Sequence, residues 1–146
     1  MDIALVLLSY LPVRSEPSEK SELVTQLLFG EIYEILMNKE KWIKIKNLND
    51  DYEGWISLES HINNLADEKF IKNLINSKRI ISKRFTIARD KDGKEIYISP
   101  GSIFYEKLFI DSNTYYKLNG NILEVNLNHN INSNEILLQF INAPYL

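Results

Sequence analysis

From residue 42 the chain runs Trp42, Ile43, Lys44, Ile45, Lys46, and a period of two puts both isoleucines on one face. Trp42 shares the other, wetter face with the lysines. The next segment repeats the pattern. After the turn Asn47-Leu48-Asn49-Asp50-Asp51, the strand Tyr52-Glu53-Gly54-Trp55-Ile56 points Trp55 away from Ile56. Upstream, Ile3 to Leu11 is one apolar run, and Pro12 with Pro17 brackets a polar loop from Arg14 to Ser21. Leu23 to Phe29 is a second run, and Gly30 lets the backbone bend before Glu31-Ile32-Tyr33-Glu34-Ile35-Leu36. Asn38-Lys39-Glu40 then turns the chain. Short strands punctuated by turns predict a small all-β barrel over residues 3–57. Two tryptophans off the core face, with the loop aromatics, predict a shallow aromatic groove.

Residues 58–78 change character. Asp67 can cap a helix in which Phe70 and Leu74, and Ile71 and Ile75, recur four residues apart on one side. Beyond Arg79 β character returns, with Ile80, Ile81, Phe85 and Ile87 in one stretch. Glu95-Ile96-Tyr97-Ile98 follows the hairpin signal at Asp92-Gly93. Turns at Pro100-Gly101 and Asp111-Ser112-Asn113, and strands around Tyr115-Leu118 and Ile122-Val125, complete a second small β unit. Ser133 to Ile141 has the pattern of a capped helix stopped at Asn142-Ala143-Pro144. The apolar ending Pro144-Tyr145-Leu146 predicts a natural polypeptide that continues.

Several chemistries are poorly supplied. The 146 residues include no cysteine, so a disulfide framework, a thiolate metal site and a cysteine nucleophile are excluded within them. A net charge of -3 gives no broad positive field for nucleic acid or an anionic membrane. His61 and His129 lie far apart among asparagines, without metal-ligand spacing, and are expected at the surface. Asp90-Lys91-Asp92-Gly93 resembles the start of a calcium loop, but Gly101 stands where the twelfth-position Glu belongs, so a hairpin turn is expected. No G-x-S-x-G block presents a serine, and Asp50-Asp51 is a solvated turn. Lys69, Lys72 and Lys78 alternate with Asp67, Glu68 and asparagines, the pattern of a solvated helix face. No metal or cofactor is expected. The N-terminus lacks the basic and small-residue signals of a leader, and no segment nears the roughly 20 apolar residues of a membrane span. A cytoplasmic location is the expectation, with an extracytoplasmic one as the alternative if a leader has been removed.

Four blocks carry a resemblance. They are Val13-Arg14-Ser15-Glu16-Pro17-Ser18, Ser21 to Glu31, Trp42-Ile43-Lys44-Ile45, and Tyr52-Glu53-Gly54-Trp55-Ile56. In this order and spacing they resemble the bacterial SH3 (SH3b) domains that precede the catalytic domain of NlpC-type cell-wall cysteine peptidases. The resemblance implies a mainly β chain: two small SH3-like barrels joined by a short helix, with a short C-terminal helix. Their bounds are 1–60, 61–78 for the helical linker, and 79–146 for the second unit, whose end leads toward a catalytic domain absent from this sequence. Phe140 to Leu146 looks like that lead-in segment.

The family's enzymes cut between D-glutamate and a diamino acid in peptidoglycan stem peptides, using a Cys in an Asp-Cys-Ser-Gly motif and a His base. The attacking species is a thiolate, and a chain without cysteine cannot supply it. The resemblance therefore implies a non-catalytic targeting or substrate-recognition region. Its partners would be the stem peptide and the protein's own catalytic domain, docked through Tyr145 and the second β unit. From the family's T-Q-x-L-aromatic-G-E block the ligand position carried over is Phe29, which lacks the hydroxyl of relatives with Tyr there. Trp42, Tyr52 and Trp55 complete the aromatic candidates. Arg14 is either a ligand-carboxylate fork or a loop clamp held by Glu16 or Glu31. The alternative is a free-standing module that binds a cell-wall fragment or a protein partner; a weaker one is an adaptor for proline-rich peptides.

Overall fold

The computed structural model describes residues 2–61, 65–66, 68–77, 79–81, 86–111, 114–118 and 121–125. The first unit comprises β1 (Asp2–Leu5), β2 (Tyr10–Arg14), β3 (Leu23–Leu28), β4 (Ile32–Lys39), β5 (Trp42–Asn47), β6 (Glu53–Ser57), α1 (Leu58–His61) and β7 (Leu65–Ala66). Its strands form a seven-stranded sheet in the order β3-β2-β6-β5-β4-β1-β7. Every pairing in it is antiparallel.

Alternation within this sheet follows the sequence. Ile43, Ile45 and Ile56 are buried, and Leu11, Val13, Leu27 and Tyr33 join them in a core from which Trp42 and Trp55 are turned away. One turn differs from expectation. Lys39 pairs with Trp42, so Asn38 and Lys39 remain in β4 and the bend falls on Glu40-Lys41, with Glu40 at φ 52.

β1 explains the apolar run at the N-terminus. Ala4 and Val6 enter the first unit's core, whereas Ile3 and Leu5 face a second core on the other side. A strand buried on both faces has no polar alternation to show. β1 pairs with β4 on one edge and with β7 on the other.

The β1–β7 pairing falls within the helical linker expected over 61–78, ahead of its helix. The chain makes α1, returns as an extended pair to β1, and then forms α2 (Glu68–Ile75). Ile71 and Leu74 are buried and Phe70 packs against them, but Ile75 is exposed, so the apolar stripe is narrower than its spacing suggested. The expected cap at Asp67 lies outside the described residues, as do Lys78, His129 and the helix expected from Ser133.

The second unit contains β8 (Arg79–Ile81), β9 (Thr86–Arg89), β10 (Glu95–Ile98), β11 (Ile103–Tyr105), a 3₁₀ turn (Glu106–Leu108), β12 (Phe109–Asp111), β13 (Tyr115–Leu118) and β14 (Asn121–Val125). Five of its strands are ordered β10-β9-β14-β13-β12, and β11 pairs with β8. The β9–β10 hairpin turns through Asp90 to Gly93 as expected: Asp90 Oδ1 accepts from the backbone N–H of Asp92 and of Lys94, each at 2.9 Å.

The two units share a core. Ile3, Leu5, Phe29 and Ile32 from the first unit pack with Ile71 and Leu74 of α2 and with Phe104, Tyr105, Tyr116 and their neighbours in the second. The chain is mainly β, and its apolar interior runs continuously across the junction.

Candidate recognition face

The outer face of the first sheet is built by register. Trp55 on β6 stands opposite Lys44 on β5 and opposite Arg14 on β2, so a cation flanks the indole on each side. Trp42 lies two residues from Lys44 on β5. It is thus a diagonal neighbour of Trp55, about 7–8 Å away between backbones and within reach of an indole. Both tryptophans are half-buried. Leu23 and Met37, exposed and paired with Arg14 and Lys44, extend the same row outward.

Gly54 makes the row possible. A Cβ there would press into the Val13 side chain and lie 2.9 Å from the Arg14 carbonyl, so only glycine lets β6 approach β2 this closely. Trp55, the next residue, is thereby held in register with Arg14.

The cations are held in place. Arg14 donates from one guanidinium nitrogen to the Ser21 carbonyl at 2.7 Å and pairs with Glu19 through another at 3.3 Å. The Ser21 hydroxyl in turn bonds the carbonyls of Glu16 and Ser18, both at 2.9 Å. Arg14 is thus a loop clamp, but its partners are not the expected Glu16 and Glu31. The Glu31 carboxylate is committed elsewhere, accepting from Leu28 N–H at 2.6 Å and from Asn49 Nδ2 at 2.8 Å. Lys44 pairs with Glu53, and Lys46 with Asp51, each at 2.8 Å. The hydrogen bond and charge of Asp51 hold the Lys46 ammonium above its ordinary pKa.

The other aromatic candidates lie elsewhere. Phe29 is completely buried, with its ring 5.4 Å from Phe104 and 6.5 Å from Tyr116. It joins the two units and takes no part in an exposed groove. Tyr52 is exposed, but it precedes β6 at the Asn47 end of the β5–β6 hairpin. Trp42 begins β5 at the opposite end, roughly 16 Å away at about 3.3 Å per residue. The expected groove of loop and strand aromatics reduces to the Trp42–Trp55 pair with its flanking cations.

His61 is buried, contrary to the surface position expected for it. Its Nδ1 shares a 2.7 Å hydrogen bond with the Tyr33 hydroxyl, and burial lowers its pKa below the ordinary value. No group of three or more His, Asp or Glu side chains that could hold a metal occurs among the described residues. No helix there is long and apolar enough to cross a membrane.

Sequence reasoning also missed the residues that join the units. Ile103 N–H donates to the Phe29 carbonyl at 2.8 Å, and the Tyr105 hydroxyl donates to the Gly30 carbonyl at 2.9 Å. Tyr105 N–H donates to the Tyr116 hydroxyl at 3.0 Å, and burial holds that phenol well above its ordinary pKa, so it stays neutral. The only signal was Gly30 itself, at φ 82, where a Cβ would collide with the Ile103 carbonyl.

Residues 13–60 match the bacterial dipeptidyl-peptidase Sh3 domain family. This segment is similar to bacterial SH3 domains. The match begins at Val13 and ends one residue before His61, so it takes in the whole tryptophan face. Among solved structures, the chain superposes on an NlpC/P60 family protein from Bacillus cereus with a TM-score of 0.62. Identity is 13%, and the alignment covers 87% of this chain and 56% of that one. At this identity the likeness is one of fold, and the chain spans little more than half of that protein's length. No curated protein sequence matches the chain.

Proposed function

We propose that this chain is a non-catalytic recognition region for peptidoglycan stem peptides, serving a cell-wall hydrolase of the NlpC/P60 kind. The observation that carries the reading is the row Arg14–Trp55–Lys44, with Trp42 diagonal to it. An indole between two cations suits a short peptide rich in carboxylates: apolar atoms stack on the ring, and carboxylates meet the guanidinium or ammonium. The match to a dipeptidyl-peptidase Sh3 domain and the fold shared with an NlpC/P60 protein support the same substrate class. The sequence contains no cysteine, so any thiolate chemistry belongs to another domain.

Tryptophan fluorescence tests the reading, because Trp42 and Trp55 are the chain's two tryptophans. Titration with an L-Ala-γ-D-Glu-diamino acid peptide should give a saturable change at millimolar concentration or below. Trp55→Phe, or Lys44→Gln with Arg14 intact, should weaken it severalfold. A flat titration with the folded chain would exclude this face as an autonomous site.

A further inference from the structure

A second feature lies away from the tryptophan face, at the seam between the two units. There a pocket of about 190 Å³ opens where the shared core is incompletely filled. Leu7 and Phe29 line it from the first unit, and Ile96, Leu118 and Leu123 from the second unit. Its rim carries two opposite charges, Asp90 and Lys94, from the β9–β10 turn.

These charges do not neutralise each other by an ion pair. Asp90 spends one carboxylate oxygen, Oδ1, on the N–H groups of Asp92 and Lys94. Its second oxygen accepts no hydrogen bond from the described residues. The same bonds fix the turn, so the rim carboxylate is preset. Lys94 is exposed, and its ammonium forms no ion pair among the described residues.

The geometry points to a binding site for a free α-amino acid with an apolar side chain of leucine size. The pocket is an open cleft rather than an enclosed cavity, and a branched four-carbon side chain would lie in it against Leu7 and Ile96, its two part-exposed apolar residues. The ligand's carboxylate would meet Lys94 and its ammonium the second carboxylate oxygen of Asp90, two opposite charges on one small molecule matching two on one rim. Because both units line the pocket, occupancy would stabilise their junction.

The inference is independent of the stem-peptide reading, and its test separates the two sites. L-Leucine is titrated into the isotope-labelled chain while backbone amide shifts are followed by NMR. Saturable shifts at Leu7, Lys94 and Ile96 are expected in the millimolar range, as suits so small a ligand. N-acetyl-leucine, without the ammonium, and leucinamide, without the carboxylate, should each bind about tenfold more weakly. Lys94→Ala removes an exposed side chain and leaves both cores intact. It should weaken leucine about tenfold and leave leucinamide unaffected. No saturable shift, equal affinity for leucine in Lys94→Ala, or shifts confined to the Trp42–Trp55 face would each overturn the proposal.

Discussion

The Tyr105 hydroxyl donates a 2.9 Å hydrogen bond to the Gly30 carbonyl, across 75 residues of chain. Beside it Ile103 N–H reaches the Phe29 carbonyl, so the turn that ends β3 is bonded to β11 by two groups of the second unit. Both partners are buried, and the carbonyl has no water to return to if the hydroxyl is removed.

Tyr105→Phe should therefore lower unfolding free energy by about 1–3 kcal/mol, the cost of one buried carbonyl left without its donor. Gly30→Ala should cost more, because its Cβ meets the Ile103 backbone, which cannot rotate away. Urea unfolding measures both. A single transition in each variant would show that the two units unfold together, as their continuous core requires.

Phe29 and Trp55 should respond oppositely. Phe29→Ala empties a fully buried site and should destabilise the chain by about 3–5 kcal/mol. Trp55→Phe, on a half-buried outer face, should change stability by less than about 1 kcal/mol while weakening the stem-peptide response. Thermal melts paired with the fluorescence titration distinguish core from site.

Stability should depend on pH through His61. Burial lowers its folded pKa, so below about pH 6.5 the unfolded chain binds the extra proton more readily than the folded one. Its contribution is complete above that pH and declines as pH falls toward the folded value, with a slope of at most about 1.4 kcal/mol per unit. Urea titrations at pH 7.5 and 5.5 should show a smaller decline in His61→Gln than in the parent. An equal decline would assign the effect to other groups.

Arg14→Lys keeps the charge but loses the planar fork that reaches Ser21 and Glu19 together. Global stability should fall by no more than about 1 kcal/mol, since the Glu19 partner is exposed. The loop from Ser15 to Ser21 should open more often. A glutamate-specific protease should then cut after Glu19, within the loop, severalfold faster than in the parent.

Much of this was written locally. The alternation at Trp42 to Lys46 placed the isoleucines inside and Trp42 outside, because side chains on a strand alternate whatever the sheet later packs against. Asp90 to Gly93 announced its hairpin because an aspartate can bond backbone groups two and four residues ahead. The β7 pairing was not visible, since two residues of extended chain carry no periodicity. The partners of Arg14 depended on which way a seven-residue loop folds back.

The sequence by itself determined the period-two strands, the turns and the lack of a thiol nucleophile, all consequences of residue identity and spacing along the chain. Only the tertiary structure decided that Phe29 belongs to a shared core, that β1 is buried on both faces, and that His61 lies inside against Tyr33. The physical reason is the same in each case. Whether an apolar or titratable side chain meets water depends on the surface that covers it, and here that surface comes from residues far away in the chain.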